Sequence, residues 1–180
     1  MKLFPRLSGH YRNLFAAALL VVPAAVPKTH KPAPKASPAP EGKLDIRLLI
    51  TAEPDKVLKP TKGPDGQYSQ AQPVKIAPRN QPIVGVLFFK DCKPDAKGNC
   101  NVDVDVQGMT PGGQMFQNSK GDDLWRNKKA PHTGFVQLGV PKIRITIETK
   151  DPAGVYRVLA VAHDRNNGAE ARSEASFEVK

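Results

Sequence analysis

Hydrophobic and polar positions alternate most clearly near the C-terminus. In Lys142–Glu148, Ile143, Ile145 and Ile147 share one face, and Arg144, Thr146 and Glu148 share the other. That period of two predicts a half-buried strand. Val155–His163 is apolar on both faces apart from Arg157 and His163, which predicts a central strand covered on both sides. In Ala171–Val179, Ser173, Ala175, Phe177 and Val179 alternate with Arg172, Glu174, Ser176 and Glu178. Turn residues separate the three strands, and Arg165-Asn166-Asn167-Gly168 is a strong hairpin signal.

The same pattern extends upstream. Leu44, Ile46, Leu48 and Ile50 predict a first strand, and Pro73–Ala77 a short edge strand. Between them, 52–72 carries the breakers Pro54, Pro60, Gly63, Pro64, Asp65 and Gly66 and reads as irregular. Pro82–Asp91 is strongly apolar and β-branched or aromatic and reads as a buried strand. Asn101–Gln107 should bury Val102, Val104 and Val106 and leave Asp103 and Asp105 in water. A short strand at Gln114–Asn118 is followed by a loop over 119–133, and Phe135–Val140 reads as another short strand. Seven or eight short strands and no helix predict an all-β, antiparallel two-sheet sandwich.

This domain occupies residues 43–180. Ahead of it, residues 1–26 have the form of a signal peptide. Lys2, Arg6 and Arg12 precede the apolar run Leu14–Val22, and small residues follow at Ala24 and Ala25. The run is shorter than the ~20 residues of a spanning helix, so no stable membrane span is expected after processing; an uncleaved anchor is the alternative. Residues 27–42 carry Pro27, Pro32, Pro34, Pro38 and Pro40 among Lys and Ala, the composition of a disordered, extended linker. Export to the periplasm or beyond the cell is the expected destination.

The net charge is +10, and half of it lies in residues 1–42, which hold six Lys/Arg against one acid. A nucleic-acid partner is therefore not expected, since such domains concentrate cations on one folded face. Attraction to anionic envelope polymers remains compatible with this balance.

Two cysteines in an exported chain predict a disulfide, Cys92–Cys100, across the facing ends of an antiparallel hairpin. A redox pair or a metal site is the alternative. Asp91, Asp95, Asp103 and Asp105 gather around that hairpin. They read first as a solvated turn with Lys90, Lys93 and Lys97 as countercharge, and second as oxygen ligands for Ca²⁺. Met109, Met115 and His132 are candidate copper ligands, with core filler and a surface His as the plainer reading. No nucleophile motif, zinc motif or phosphate loop is present, so neither catalysis nor a cofactor is expected. Trp125, beside Arg126, Lys128 and Lys129, is the candidate partner-binding group, either stacking on a sugar ring or anchoring a protein. The alternative places Trp125 as a plug at one end of the sandwich.

Asp151, Gly154 and Tyr156, just before a central strand, resemble the tyrosine corner of the immunoglobulin-like superfamily. The resemblance covers about the last forty residues and implies a Tyr156 hydroxyl bonded back to the turn. The chain departs from antibody domains: Val158 stands where the second inter-sheet cysteine would be, and Cys92 and Cys100 are too close in sequence to be that pair. It therefore resembles the immunoglobulin-like or fibronectin-like sandwiches of bacterial exported proteins. The function expected is a non-catalytic module for binding or envelope structure, with a protein or envelope polymer as partner. Alternatives are a periplasmic Ca or Cu protein and an enzyme with a loop-assembled site.

Overall fold

Alternation along Asp45–Thr51 builds β1, whose even-numbered residues Ile46, Leu48 and Ile50 are all buried. The computed structural model describes residues 43–59 and 70–180. The signal-peptide and linker readings fall on residues 1–42, outside the described residues.

Six further strands follow: β2 (Pro82–Lys90), β3 (Asn99–Met109), β4 (Met115–Lys129), β5 (Gln137–Thr146), β6 (Gly154–Asp164) and β7 (Ala169–Val179). They form two antiparallel sheets. The first has three strands in the order β1-β2-β5, and the second has four in the order β4-β3-β6-β7. This is the all-β, two-sheet sandwich that the alternation predicts.

The core lies between the sheets. Leu87 and Phe89 of β2 meet Val102, Val104 and Val106 of β3 and Val158 of β6, all at most 1% exposed. Each such side chain contributes ~1.5–3 kcal/mol by leaving water. Tyr156 stacks on Phe177 with ring centroids 5.4 Å apart. One lateral edge is stitched by polar groups: Leu48 N–H donates to Ser173 Oγ at 2.9 Å. Residues 74–77 are held to both sheets, with Val74 N–H on the Ile50 carbonyl and Ala77 N–H on the Glu178 carbonyl, each at 2.8 Å.

Several expectations are corrected. Residues 119–129 are not a loop; they continue β4, a fifteen-residue strand. Its ladder to β3 shifts register four times, and these bulges erase the alternation that marks a strand. The stretches 135–140 and 142–148 are not separate strands. β5 runs through Pro141, which falls in the break of the β2–β5 ladder between Leu138 and Lys142 and on an edge strand, where a missing N–H is tolerated. Residues 73–77 make an isolated bridge, Ile76 to Glu178, and no strand. Of the irregular 52–72 stretch, residues 60–69 lie outside the described residues, and the described part contains a helical turn, α1 (Pro54–Leu58). The outer face of β6 is not covered, since Val155 is 51% exposed. Asp103 is not in water, being only 5% exposed. β2 and β3 form no hairpin, because they belong to different sheets.

The end of the sandwich carrying the β3–β4 and β5–β6 turns is closed by two residues. The Tyr156 hydroxyl donates to the Pro152 carbonyl at 2.9 Å. Arg79 collects carbonyls from the β5–β6 turn and beyond: its Nη1 donates to Glu148 at 2.8 Å and Asp151 at 3.0 Å, and its Nε to Lys180 at 2.9 Å. Among the described residues, no helix is long and apolar enough to cross a membrane.

Candidate functional site

The opposite end gathers three connections: residues 91–98 after β2, 130–136 after β4, and the 165–168 hairpin turn after β6. Cys92 and Cys100 are disulfide-bonded, with Cα atoms 5.9 Å apart. Because β2 and β3 lie in different sheets, the bond clips the crossing from one layer to the other.

Carboxylates bind the three connections together. Asp164, 1% exposed, accepts the Lys93 N–H at 2.6 Å and the Asn166 N–H at 3.0 Å. Asn166 Nδ2 returns donors to the carbonyls of Lys93 at 2.7 Å and Asn99 at 3.0 Å. Asp95 closes its own turn by accepting the N–H groups of Lys97 and Asn99, both at 2.8 Å. The Asn99 amide is the main reason its carboxyl lies below the usual range. Asp91 accepts the Gly134 N–H at 2.8 Å and so fixes the 130–136 connection. That connection is pinned from its other side by Ala130 N–H on the Gly98 carbonyl at 3.0 Å.

On this frame Phe135 and Val136 project into solvent, 67% and 65% exposed. Phe135 N–H donates to the His132 carbonyl at 3.0 Å, and the two rings meet edge to face at 5.9 Å. The hydrophobic pattern passes over this pair, because Phe135–Val140 alternates well enough to look like a strand. The local signal is Gly134, whose φ of 78° turns the chain just before them.

Trp125 sits on the same side in a different role from a free stacking platform. One neighbour is Phe89 at 5.4 Å and another is the Lys128 ammonium, 5.2 Å from the ring centroid. Its Nε1 donates to the Lys129 carbonyl at 2.9 Å. Lys129 Nζ in turn donates to the Lys97 carbonyl at 3.0 Å, and Lys128 pairs with Asp123 at 3.2 Å. Arg126 donates to the Gly121 carbonyl at 2.8 Å. All four residues are thus engaged locally.

The four candidate calcium ligands do not converge. Asp91 and Asp95 hold loop amides, as above. Asp103 pairs with Arg165 Nε at 2.7 Å, which raises the Arg165 pKa. Its Oδ1 has no hydrogen-bond partner among the described residues. Asp105 accepts the Gly121 N–H at 2.8 Å and lies 3.5 Å from His163 Nε2; the Gly121 amide chiefly holds its carboxyl below the usual range. No group of three or more His, Cys, Asp or Glu among the described residues is placed to hold a metal ion. The copper candidates are also separated. Met109 and Met115 face each other across β3 and β4 at the Tyr156 end, and His132 is in the connection at the disulfide end.

No family model matches the chain, and no curated protein matches it. Among solved structures it is similar to a family 123 glycoside hydrolase from Clostridium perfringens, with 10% identity and a TM-score of 0.43. That likeness covers 77% of this chain and only 27% of the hydrolase. The chain is also similar to a Niemann-Pick type C2 protein from Japanese carpenter ant, with 11% identity and a TM-score of 0.42, over 78% of this chain and 95% of that one. Neither likeness bears on what this chain binds or does.

Proposed function

We propose that this chain is an exported, non-catalytic module of immunoglobulin-like or fibronectin-like type, acting by binding. Its contact surface is the disulfide end, and its partner is a protein or an envelope polymer. One observation carries the reading: two adjacent apolar side chains, Phe135 and Val136, stand two-thirds exposed on a connection whose backbone is held at Asp91 and Gly98. Exposed apolar groups on a mobile loop must be ordered on binding, at a cost; here the ordering is already done, which favours affinity. The disulfide supports export, because such bonds persist in oxidising compartments. The tyrosine-corner hydrogen bond supports the superfamily resemblance.

The test uses the full chain produced in cells, followed by fractionation and intact mass with thiol alkylation. The expected product is shortened at its N-terminus, carries no alkylated thiol and sediments with the envelope. Phe135→Asp should release it to the soluble fraction without lowering its melting temperature. A full-length mass with two alkylated thiols overturns export. An unchanged distribution of the Phe135→Asp protein overturns the contact surface.

A further inference from the structure

The outward face of a sandwich sheet is ordinarily polar and solvated. β2 departs from this. Ile83, Leu87 and Phe89 point into the core, so the strand's period of two sends Val84, Val86 and Phe88 outward. Val86 is fully buried yet lies outside the central core cluster, so a second apolar layer exists on this face. α1 packs over part of it. Among the described residues, the remainder presents two clefts. One, about 280 Å³, is bounded by Asp45, Arg47, Phe88, Lys90 and the exposed Val136. The other, about 390 Å³, is bounded by Arg47, Phe88, Leu49, Lys56, Val57 and Gln72. Arg47 and Phe88, paired across β1 and β2, line both, so the two clefts lie side by side along the three-stranded sheet as one interrupted trough.

Its charges define the occupant. Lys90, Arg47 and Lys56 are strung along the trough. Lys90 pairs with Asp45 at 3.5 Å and Lys56 with Glu53 at 2.6 Å, both exposed pairs that a ligand carboxylate can replace at little cost. No ion pair engages Arg47 among the described residues. An amphiphile with a single anionic head needs one cation at the mouth of a closed apolar pocket. Three cations spaced along an open apolar trough instead match carboxylates repeated along a polypeptide. The chain's own residues 1–42, with six cations and one acid, have the wrong sign. Strand addition to β1 is obstructed, since Leu48 N–H and the Ile50 carbonyl on its outer edge are already bonded. The contact is therefore through side chains.

We infer that this trough docks an acidic, apolar polypeptide segment of a partner protein. Phe88 and Val136 take its apolar side chains, and Lys90, Arg47 and Lys56 take its carboxylates. The trough is a site beyond the Phe135 contact surface proposed above and shares only Val136 with it.

The test is fluorescence anisotropy of the processed full-length protein with two labelled peptides of equal length, one of Glu with Leu and Phe, the other with Lys in place of Glu. The acidic peptide should bind saturably and the basic one should not. Arg47→Glu, at an exposed position that the fold does not need, should weaken the acidic peptide about tenfold or more, equivalent to ~1.4 kcal/mol. Val136→Ser should weaken it by a smaller factor, and Phe135→Asp should leave it unchanged. Absence of saturable binding, equal binding of both peptides, or unchanged affinity in Arg47→Glu overturns the inference. Tighter binding of a peptide spanning residues 28–42, or Arg47-dependent self-association in sedimentation, assigns the trough to another occupant and also overturns it. Because Phe135→Asp tests the loop end and Arg47→Glu the trough, the two readings fail separately.

Discussion

The two ends of the sandwich solve one problem with opposite charges. At both, connections leave backbone polar groups away from the sheet ladders, and each end uses a multivalent ionic side chain to satisfy them. At the disulfide end the unpaired groups are N–H donors, and the carboxylate of Asp164 collects those of Lys93 and Asn166. At the Tyr156 end they are carbonyls, and the Arg79 guanidinium collects those of Glu148, Asp151 and Lys180. The sign of the organising residue follows from which backbone groups converge. The ends differ in burial as well. Asp164 is sealed from water, whereas most of the Arg79 bonds are exposed, so water can substitute for Arg79 more readily than for Asp164.

Breaking the buried side should therefore cost most. Asp164→Ala removes two charge-assisted bonds at ~1.5–3 kcal/mol each and strands the amides they satisfied; a loss of ~3–5 kcal/mol in urea unfolding is expected. An Asp164→Ala protein as stable as the parent would show that Asp164 does not organise this end. Replacing Cys92 and Cys100 together by Ser should cost ~2.5 kcal/mol, the chain-entropy value for so short a loop. Hydrogen exchange should then quicken across residues 130–136 and leave the Arg79 end protected. Arg79→Ala should cost ~2 kcal/mol by the same unfolding measurement. A larger loss than for Asp164→Ala would reverse the ranking of the two ends. Tyr156→Phe removes one hydrogen bond to the Pro152 carbonyl and should cost ~1 kcal/mol.

The smallest effect expected is a pH dependence on the four-stranded sheet. The Gly121 amide, aided by His163, holds the Asp105 carboxyl below the usual range. Partial burial pushes Asp123 up, but the Arg126 amide and the Lys128 ammonium outweigh it, leaving it low as well. A carboxyl depressed in the folded state adds stability above its unfolded pKa of ~3.9, lost as pH falls through the folded value. The melting temperature should drop below about pH 4, and Asp105→Asn should remove ~0.5 kcal/mol of that dependence.

Legibility along the sequence follows the locality of the cause. β6 and β7 are readable because one ladder in unbroken register enforces one period over eleven pairs. β4 is not, because its bulges reset the period before it can be recognised. Asp103 and Asp105 look equivalent, two residues apart on one face. Asp103 alone is buried, because Arg165 arrives from the β6–β7 turn to cover it. Asp164 has only half a local signature, the Asn166 N–H two residues on; its Lys93 partner and the carbonyls on Arg79 are distant in sequence. The Cys92–Cys100 bond was readable from cysteine count and spacing. Its placement between layers was not, because alternation says which residues are buried but not which sheet a strand joins.

The irregular course of β4 has a further consequence. It is the edge strand of the four-stranded sheet, a position that exposes backbone groups to any passing extended chain. Its longest run in unbroken register with β3 is the three residues Gln117–Ser119, and Gly121 and Asn127 both turn the backbone through positive φ. A recruited strand would lose step with this edge within one pleat or two. The edge is thereby a poor template for fibril growth and domain exchange, although it is the longest strand of its sheet.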